Sequence, residues 1–420
     1  MTQPQTPNAG PLAGYRVLEM GSTVAGPFCG RLLADFGAEV IKIEPAEGDP
    51  VRTMGKRSDD KSLYAASIFR NKSLVSLDLR TPEGQDIARR IAGKSDVVVE
   101  NFRPGGLEKW GLGYADLSRD NPGLVMVRIS GFGQTGPYSD RAGYGVIGEA
   151  VSGLRHITGD PDRPPSRVAA SITDYITGLY GAFGAVMALL ARGKTGRGQY
   201  VDTALYECAF SFMEPHIPAF QKLGLVASRT GSRLPDSTPN NLYLTRDRQF
   251  IHITAMGEAV FRRLVACMQS PQLAADPRFA DAVSRSRHHQ EIDDLIGQWT
   301  ARHELAELES MLNDAGVPAT RIYTMADIFA DPHYAARGTI AYAFDEDRLG
   351  EVAMAAPVPR LSQTPGAIRH AGHRIGQDTR HVLSELLELS DAEIERLERK
   401  GIVGCDRRAP EPMNERAGAG

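Results

Sequence analysis

The first half of the chain alternates short apolar runs with longer segments of helical periodicity. The short runs have the length and residue types of buried strands, and they lie at 16–20, 39–43, 74–79, 96–100 and 124–129. Between two of them, Thr81-Pro82-Glu83 places a capping threonine, a first-turn proline and an acid at the start of a helix. Because this alternation is typical of a mostly parallel sheet with helices on both faces, the sequence predicts an α/β, Rossmann-like domain.

Two helices of this half carry further signals. Residues 30–37 are predicted to form a helix that ends at Gly37. A longer helix is predicted over 172–190, where apolar residues recur at Ile172, Ile176, Leu179, Phe183, Met187 and Leu190. It also contains Gly178, Gly181 and Gly184, each costing roughly 1 kcal/mol relative to alanine. Glycine is expected there because another backbone or a ligand comes close.

After residue 206 the pattern changes to that of a separate α+β unit. A strand is predicted at 250–253, with helices near 257–268, 288–299 and 303–315. A chain of 420 residues is also long enough for two domains. The predicted organisation is a large domain with its first part at 12–206, a linker and candidate lid loop at 207–239, a small domain at 240–335, a return to the large domain at 336–406, and disordered tails at 1–11 and 407–420.

The amino-acid composition argues against several classes of protein. A formal net charge of −4 provides no broad attraction for nucleic acid or an anionic membrane. The four cysteines are far apart and form no metal-ligand spacing, so neither a disulfide framework nor a metal site is expected. No apolar run approaches the roughly 20 residues that span a bilayer, and the N-terminus has no signal-peptide pattern. We therefore expect a cytoplasmic protein.

The most informative stretch is the phrase around Asp174, which runs from Thr173 to Gly178 and is followed by the closing segment 194–202. Together with Val17-Leu18-Glu19-Met20 and Ala25-Gly26-Pro27, it resembles the class III CoA-transferase family of the CaiB/BaiF type. This family includes formyl-CoA transferase and α-methylacyl-CoA racemase, and the resemblance extends from about residue 12 to about residue 403. It implies a large domain built from both chain ends, a smaller inserted domain, and an interlocked homodimer.

The resemblance implies that Asp174 is the catalytic nucleophile. It would attack the thioester carbonyl of an acyl-CoA and carry CoA as an aspartyl thioester until a second carboxylic acid accepts it. CoA is then a substrate, and no tightly bound cofactor, ATP or metal is required. Without the resemblance, Asp174 would be read as an acid in the first turn of a helix, where the helix dipole favours it.

The resemblance also implies a set of CoA-binding residues, most of them beyond the ends of predicted strands, where ligands of parallel sheets collect. They are Val24, Ala25, Leu77, Asp78, Leu79, Arg80, Asn101, Phe102, Arg103, Lys109, Tyr144 and Gly145. Two positions depart from the family pattern. Val24 stands where formyl-CoA transferase has a side-chain amide, and Lys109 stands where arginine is more usual.

Alternative functions remain open at this level. The racemase branch has a histidine base in a Gly-His-Asp phrase, which reads Gly143-Tyr144-Gly145 here, so tyrosine would be a poor substitute base. A CoA-binding protein without catalysis is the other alternative. The loop at 228–241 replaces a glycine run of formyl-CoA transferase, and its Arg233 could pair with the second carboxylate of a dicarboxylic acid. A solvated loop arginine is the simpler interpretation.

Overall fold

A computed structural model describes residues 10–406, which divide into two compact units. The larger unit comprises the described residues up to Leu154, Val168–Ile217 and those from Ala335 onward, whereas the smaller comprises Arg155–Arg167 and Pro218–Tyr334. The predicted tails at 1–9 and 407–420 lie outside the described residues. Residues 10 and 11, predicted to belong to the first tail, are placed, and the Leu12 N–H just after them donates to the Phe36 carbonyl at 3.0 Å.

The helices and strands follow one another in three stretches. Up to residue 210 they are β1 (Arg16–Glu19), α1 (Ala25–Asp35), β2 (Glu39–Glu44), β3 (Arg57–Ser58), β4 (Lys61–Ser62), α2 (Leu63–Ile68), β5 (Lys72–Leu77), α3 (Pro82–Gly93), β6 (Val97–Glu100), α4 (Tyr114–Asp120), β7 (Val125–Ser130), α5 (Gly145–Val151), α6 (Ile172–Thr195), β8 (Tyr200–Ala204) and α7 (Leu205–Phe210). Next come α8 (His216–Leu223), β9 (Asn240–Leu244), β10 (Phe250–Thr254), α9 (Glu258–Cys267), α10 (Ala282–Arg287), α11 (His289–Thr300), α12 (Leu305–Asp314), β11 (Ala319–Arg321), α13 (Met325–Ala330) and α14 (Pro332–Arg337). The last are β12 (Ile340–Asp345), β13 (Gly350–Ala355), α15 (Thr379–His381), α16 (Asp391–Arg399) and β14 (Val403–Gly404).

The larger unit is built on a seven-stranded sheet of order β14-β5-β2-β1-β6-β7-β8. Every pair in it is parallel except β14 with β5. Successive strand residues point to opposite faces, so Val17 and Val97 join the core beneath α1 and α6, whereas Leu18 and Val98 join the core beneath α3 and α16. The predicted mostly parallel α/β sheet is thereby confirmed.

Helix α1 begins at Ala25, five residues before the predicted start. Val24 caps it without a side-chain hydrogen bond, while its carbonyl accepts the Phe28 N–H at 2.7 Å. The usual Ser, Thr, Asp or Asn signal is therefore missing, which explains the wrong boundary. As a result, Ala25-Gly26-Pro27 forms the first turn of the helix.

The glycines of α6 lie where that helix meets its neighbours. A Cβ added at Gly178 would be 2.7 Å from the Ala25 carbonyl oxygen, and one at Gly184 would be 2.5 Å from Val201 Cγ1. Real Cβ atoms are essentially never closer than 3.0 Å to such atoms. The glycines thus let α6 pack closely on β8 and on the first turn of α1.

The smaller unit contains an antiparallel sheet of order β11-β10-β9. Its core joins this sheet to helices α9, α11 and α12 through Ile251, Phe261, Ile296 and Leu308. Residues 155–167, placed within the predicted large-domain segment 12–206, belong to this unit instead. Arg229 holds them, because its guanidinium donates to the carbonyls of His156, Asp160 and Pro161 at 3.0–3.4 Å. Residues 207–217, predicted as linker, belong to the larger unit.

Candidate active site

Asp174 and Gly145, 29 positions apart in the chain, lie against each other in the larger unit. Asp174 is in the first turn of α6, and Gly145 is the first residue of α5. A Cβ at Gly145 would be 2.1 Å from Asp174 Oδ2 and 2.8 Å from its Cγ. The bare main chain of Gly145 therefore forms one wall of the space around the carboxylate.

Two tyrosines flank this carboxylate. The hydroxyl groups of Tyr64 and Tyr175 are 2.8 Å apart, and the Tyr175 ring packs edge-on against Phe28 of α1 with centroids 4.8 Å apart. Burial raises the pKa of Tyr64, and the hydrogen bond to Tyr175 and the charge of Asp174 raise it further. Tyr64 therefore stays a neutral hydrogen-bonding group near Asp174, with the Tyr175 hydroxyl as its partner. The sequence predicts a role for neither: Tyr175 lies within the phrase 173–178 without a proposed function, and Tyr64 lies far from every quoted motif.

The loop between β1 and α1 connects this region to the carboxyl ends of the central strands. Its Ser22 N–H donates to Asn101 Oδ1 at 2.8 Å, and Asn101 Nδ2 donates back to the Ser22 carbonyl at 2.9 Å. The predicted residue Asn101 thus fixes the loop main chain with both ends of its amide. The Val24 side chain, 3% exposed, packs into a buried cluster that Tyr175 borders.

A cavity of about 280 Å³ lies at the carboxyl ends of β1, β2, β5 and β6. Five predicted residues line it, namely Leu77, Asp78, Leu79, Arg80 and Phe102. Phe102 meets Trp110 edge-on at 5.5 Å between centroids, and its N–H donates to Glu100 Oε2 at 2.8 Å. Burial raises the pKa of Glu100 to about 7, although its hydrogen bond to Arg128 opposes the shift. The cavity therefore combines aromatic and aliphatic walls with charged groups at its edge.

The remaining predicted residues lie at other places in the larger unit. Val24 and Ala25 are buried, so their side chains do not line the cavity. Arg103 and Lys109 are exposed, and within residues 10–406 neither forms an ion pair with a carboxylate. Tyr144 precedes α5 and is 72% exposed. Of the predicted set, the structure brings together Gly145 with Asp174, and the strand-end residues with one another.

Arg233 lies in the smaller unit. It closes a turn in which Thr230 Oγ1 donates to the Arg233 carbonyl at 2.7 Å, and its side chain lines an open cavity of about 890 Å³ together with Asp293 and Asp294. Among the described residues its guanidinium has no carboxylate within 4.0 Å. The Arg233 guanidinium therefore forms no ion pair with a carboxylate among the described residues.

Two further features bear on the class of protein. Helix α6 is the one described helix whose length and composition would allow it to cross a membrane, a test that the core helix of a soluble protein also passes. One side of α6 packs on α1 and the sheet, as expected of such a core helix. Within residues 10–406 there is no group of three or more His, Cys, Asp or Glu side chains that could hold a metal ion.

Comparison with known proteins agrees with this architecture. The profile of CoA-transferase family III matches residues 12–379. Succinyl-CoA–D-citramalate CoA-transferase of Chloroflexus aurantiacus is 48% identical over 395 residues, covering 94% of this chain and 98% of that protein. The beta subunit of succinyl-CoA–L-malate CoA-transferase of the same organism is 39% identical over 400 residues, covering 94% and 98%. The crystal structure of a CaiB/BaiF family protein from Brucella suis superimposes with a TM-score of 0.80 at 33% identity, covering 90% of this chain and all of that one.

The chain therefore belongs to CoA-transferase family III. It is an enzyme that moves CoA between an acyl-CoA thioester and a free carboxylic acid. The predicted family and reaction are confirmed, and CoA is a substrate of the enzyme.

Proposed function

We propose that the enzyme exchanges CoA between two dicarboxylic acids and carries it on Asp174 during the exchange. The observation that carries the covalent route is the approach of the Gly145 main chain to the Asp174 carboxylate, which is so close that a side chain at position 145 would displace the carboxylate. The position of Asp174 in the first turn of the 24-residue helix α6 supports an ionised nucleophile, because the positive end of the helix dipole favours the carboxylate.

The chemistry balances without an added reagent. An Asp174 oxygen bonds to the thioester carbon while the C–S bond breaks, giving a mixed anhydride and CoA thiolate. The thiolate then attacks the aspartyl carbonyl, and the donor acid leaves as its carboxylate. The acceptor carboxylate repeats these steps in reverse order, so that Asp174 is regenerated. Each tetrahedral intermediate needs hydrogen-bond donors, for which the fixed main chain of the β1–α1 loop is our candidate.

We propose succinyl-CoA as a donor and a hydroxylated dicarboxylate of the malate or citramalate type as an acceptor. The support is that both Chloroflexus relatives carry succinyl-CoA and such an acid in their names. Arg233 is the candidate for binding the second carboxylate, because its fork is not paired with an acid among the described residues and matches a carboxylate bidentately. We propose the predicted strand-end residues as the CoA site, with the cavity at that edge receiving part of the cofactor.

The decisive experiment follows oxygen rather than product alone. With succinyl-CoA and an acceptor labelled with ¹⁸O in its carboxylate, the covalent route transfers one ¹⁸O atom to Asp174, which mass spectrometry of the peptide detects after a single turnover. Asp174→Asn should abolish both transfer and labelling while CoA binding survives. Asp116→Asn is the matched control, since Asp116 occupies the first turn of α4. New CoA ester formed without label in Asp174 would refute the covalent role.

We also propose that the enzyme works as a homodimer, interlocked as in its family, in the cytoplasm. The support for the dimer is a stripe of exposed apolar side chains along α6. Leu179, Phe183, Met187 and Leu190 are 46–60% exposed and recur with helical spacing. A continuous apolar face of this kind is typical of a protein–protein interface. Light scattering of the purified chain tests it, and a monomer at micromolar concentration would contradict it.

A further inference from the structure

Four charged side chains are buried beneath the loop that connects β1 to α1. Glu19, Lys42 and Lys72 have no exposed surface, and Asp49 is 3% exposed. Lys42 Nζ is 3.0 Å from Asp49 Oδ2 and 3.3 Å from Glu19 Oε1, while Lys72 Nζ is 2.6 Å from Glu19 Oε2. Two cations therefore neutralise two anions. Because buried ion pairs are often no more stabilising than apolar packing, this network calls for a reason other than stability.

The two lysines hold the main chain at the start of the loop and in the first turn of α1. Lys42 Nζ donates to the Gly21 carbonyl at 2.6 Å, and Lys72 Nζ donates to the Pro27 carbonyl at 2.7 Å. Glu19 links the two lysines, and its side chain runs so close to α1 that a Cβ at Gly30 would be 1.9 Å from Glu19 Oε2. The network is thus continuous from one end of the loop to the first turn of α1.

Asp49 holds the middle of the loop, where the backbone is strained. Thr23 has a φ of 67°, in the left-handed region that a β-branched residue rarely adopts. Its N–H lies 3.0 and 3.2 Å from the two carboxylate oxygens of Asp49. Asp49 is itself fixed, because its Oδ1 accepts the Val51 N–H at 2.9 Å and its Oδ2 pairs with Lys42. Such a conformation persists only where the surroundings impose it, and strained residues of this kind cluster at functional sites.

The charges of the Lys42–Asp49 pair survive burial. Burial opposes the charge on Lys42, but Asp49 and Glu19 outweigh it and raise the pKa of Lys42. Burial likewise disfavours the Asp49 carboxylate, but Lys42 and the Val51 N–H lower its pKa. By contrast, burial lowers the pKa of Lys72 to about 8. The pair that reaches Thr23 is therefore the firmly ionised part of the network.

The held segment lies between the two halves of the candidate site. Gly21 and Ser22 line the cavity at the sheet edge. On the other side, Val24 packs in the cluster bordered by Tyr175, the residue next to Asp174. A change in the backbone at Thr23 would therefore alter the main chain on the side of the cavity and on the side of the nucleophile at once.

We infer that Asp49, supported by Lys42 and Glu19, is a positioning residue that keeps the main chain of residues 22–24 in the shape that receives the thioester beside Asp174. This inference rests on the proposed transfer through Asp174. Asp49 also borders the cavity at the carboxyl ends of the strands, but its side chain is 1% exposed, so we place its action on the reacting atoms through the loop. The buried charges determine where backbone N–H and C=O groups lie, and the backbone groups meet the substrate.

The test combines loss and rescue. Asp49→Asn should raise hydrogen exchange of the peptide 20–28 about tenfold, because the loop opens more readily. It should lower kcat for CoA transfer from succinyl-CoA roughly 10–100-fold while KM for succinyl-CoA stays within about threefold, as expected for misplacement at the reacting centre. Adding Thr23→Gly should restore about tenfold in kcat, because glycine adopts a positive φ without the carboxylate.

Asp35→Asn is the matched control. Asp35 is also buried and ion-paired, with Arg70 at 2.6 Å, but it lies at the other end of α1. It should change neither the exchange of 20–28 nor kcat. If Asp49→Asn does not fold, Thr23→Pro serves instead, since it leaves the charges intact but excludes a positive φ and removes the N–H, and it should lose activity as a folded protein.

Three outcomes would overturn the inference. They are native kcat in folded Asp49→Asn or Thr23→Pro, faster exchange of 20–28 without loss of transfer, and failure of Thr23→Gly to restore any activity to Asp49→Asn. A native enzyme that labels no Asp174 would instead refute the proposed covalent route. The exchange measurement would then still decide whether Asp49 holds the loop, so the two failures are distinguishable.

Discussion

Replacing Gly145 by alanine should separate catalysis from stability in this enzyme. The added Cβ would be 2.1 Å from Asp174 Oδ2, whereas real Cβ atoms essentially never approach another heavy atom closer than 3.0 Å. The carboxylate must therefore move by about 1 Å. If Asp174 is the nucleophile, that movement takes the attacking oxygen away from the thioester carbon.

We expect Gly145→Ala to change the free energy of unfolding little, or to increase it. Gly145 does not have a positive φ, so alanine fits its backbone, and it opens α5, where alanine is favoured over glycine by up to about 1 kcal/mol. The two atoms closer than 3.0 Å, Asp174 Oδ2 and Cγ, belong to a side chain rather than to backbone. On the catalytic side, a displacement of about 1 Å costs roughly 100-fold in rate, or about 2.7 kcal/mol of barrier.

The assay is kcat for CoA transfer, measured beside the thermal unfolding midpoint. We expect Gly145→Ala to keep the native Tm or exceed it slightly and to lose roughly 100-fold in kcat. Gly193→Ala is the control, because Gly193 is a glycine of α6 with no neighbouring atom within 4 Å of its added Cβ. Turnover within threefold of native in folded Gly145→Ala would refute the reasoning.

Three further predictions use other residues. No solvent deuterium should enter the α-carbon of a 2-methylacyl-CoA, because Tyr144 stands where the racemase branch has its base; wash-in at the rate of CoA transfer would contradict this. Arg233→Leu should raise KM for a dicarboxylate about tenfold and leave a monocarboxylate nearly unchanged, as loss of one charged pair predicts, whereas equal effects on both acids would remove the idea. Burial, and after it the charge of the neighbouring His373, lowers the pKa of His370 from 6.5 to about 4, so the unfolded chain takes up the proton first as pH falls. Relative to His370→Phe, the wild-type enzyme should lose about 1.6 kcal/mol of unfolding free energy between pH 6.5 and pH 5, measured by urea denaturation, and parallel curves would contradict the shift.

The sheet could be predicted because parallel strands are buried on both faces. All four residues of β6 are buried, so the strand appears in the sequence as one uninterrupted apolar run ending in Glu100. The early start of α1 and the transfer of 155–167 to the smaller unit could not be predicted in the same way. The first lacks a capping side chain, and the second depends on Arg229 binding carbonyls some 70 positions away in the chain.

Only part of the candidate site could be predicted from the sequence. Asp174 and Gly145 were named through the family resemblance, but no spacing rule places two residues 29 positions apart within contact. The buried network had two visible signals, Glu19 and Lys42, which are charged residues inside the predicted buried strands 16–20 and 39–43. A lysine is almost never fully buried unless it is paired, so Lys42 already indicated a hidden carboxylate.

The network also explains how the loop can function with valine at position 24. Formyl-CoA transferase has a side-chain amide there, but the Val24 side chain is 3% exposed within an apolar cluster, and a buried amide without partners is unfavourable. In the proposed mechanism, donors to the reacting carbonyl come instead from backbone N–H groups of the loop or from the hydroxyls of Ser22 and Thr23. The direction of both depends on the backbone conformation of the loop. If our inference is right, Asp49 and Lys42 keep these donors in place by fixing that conformation.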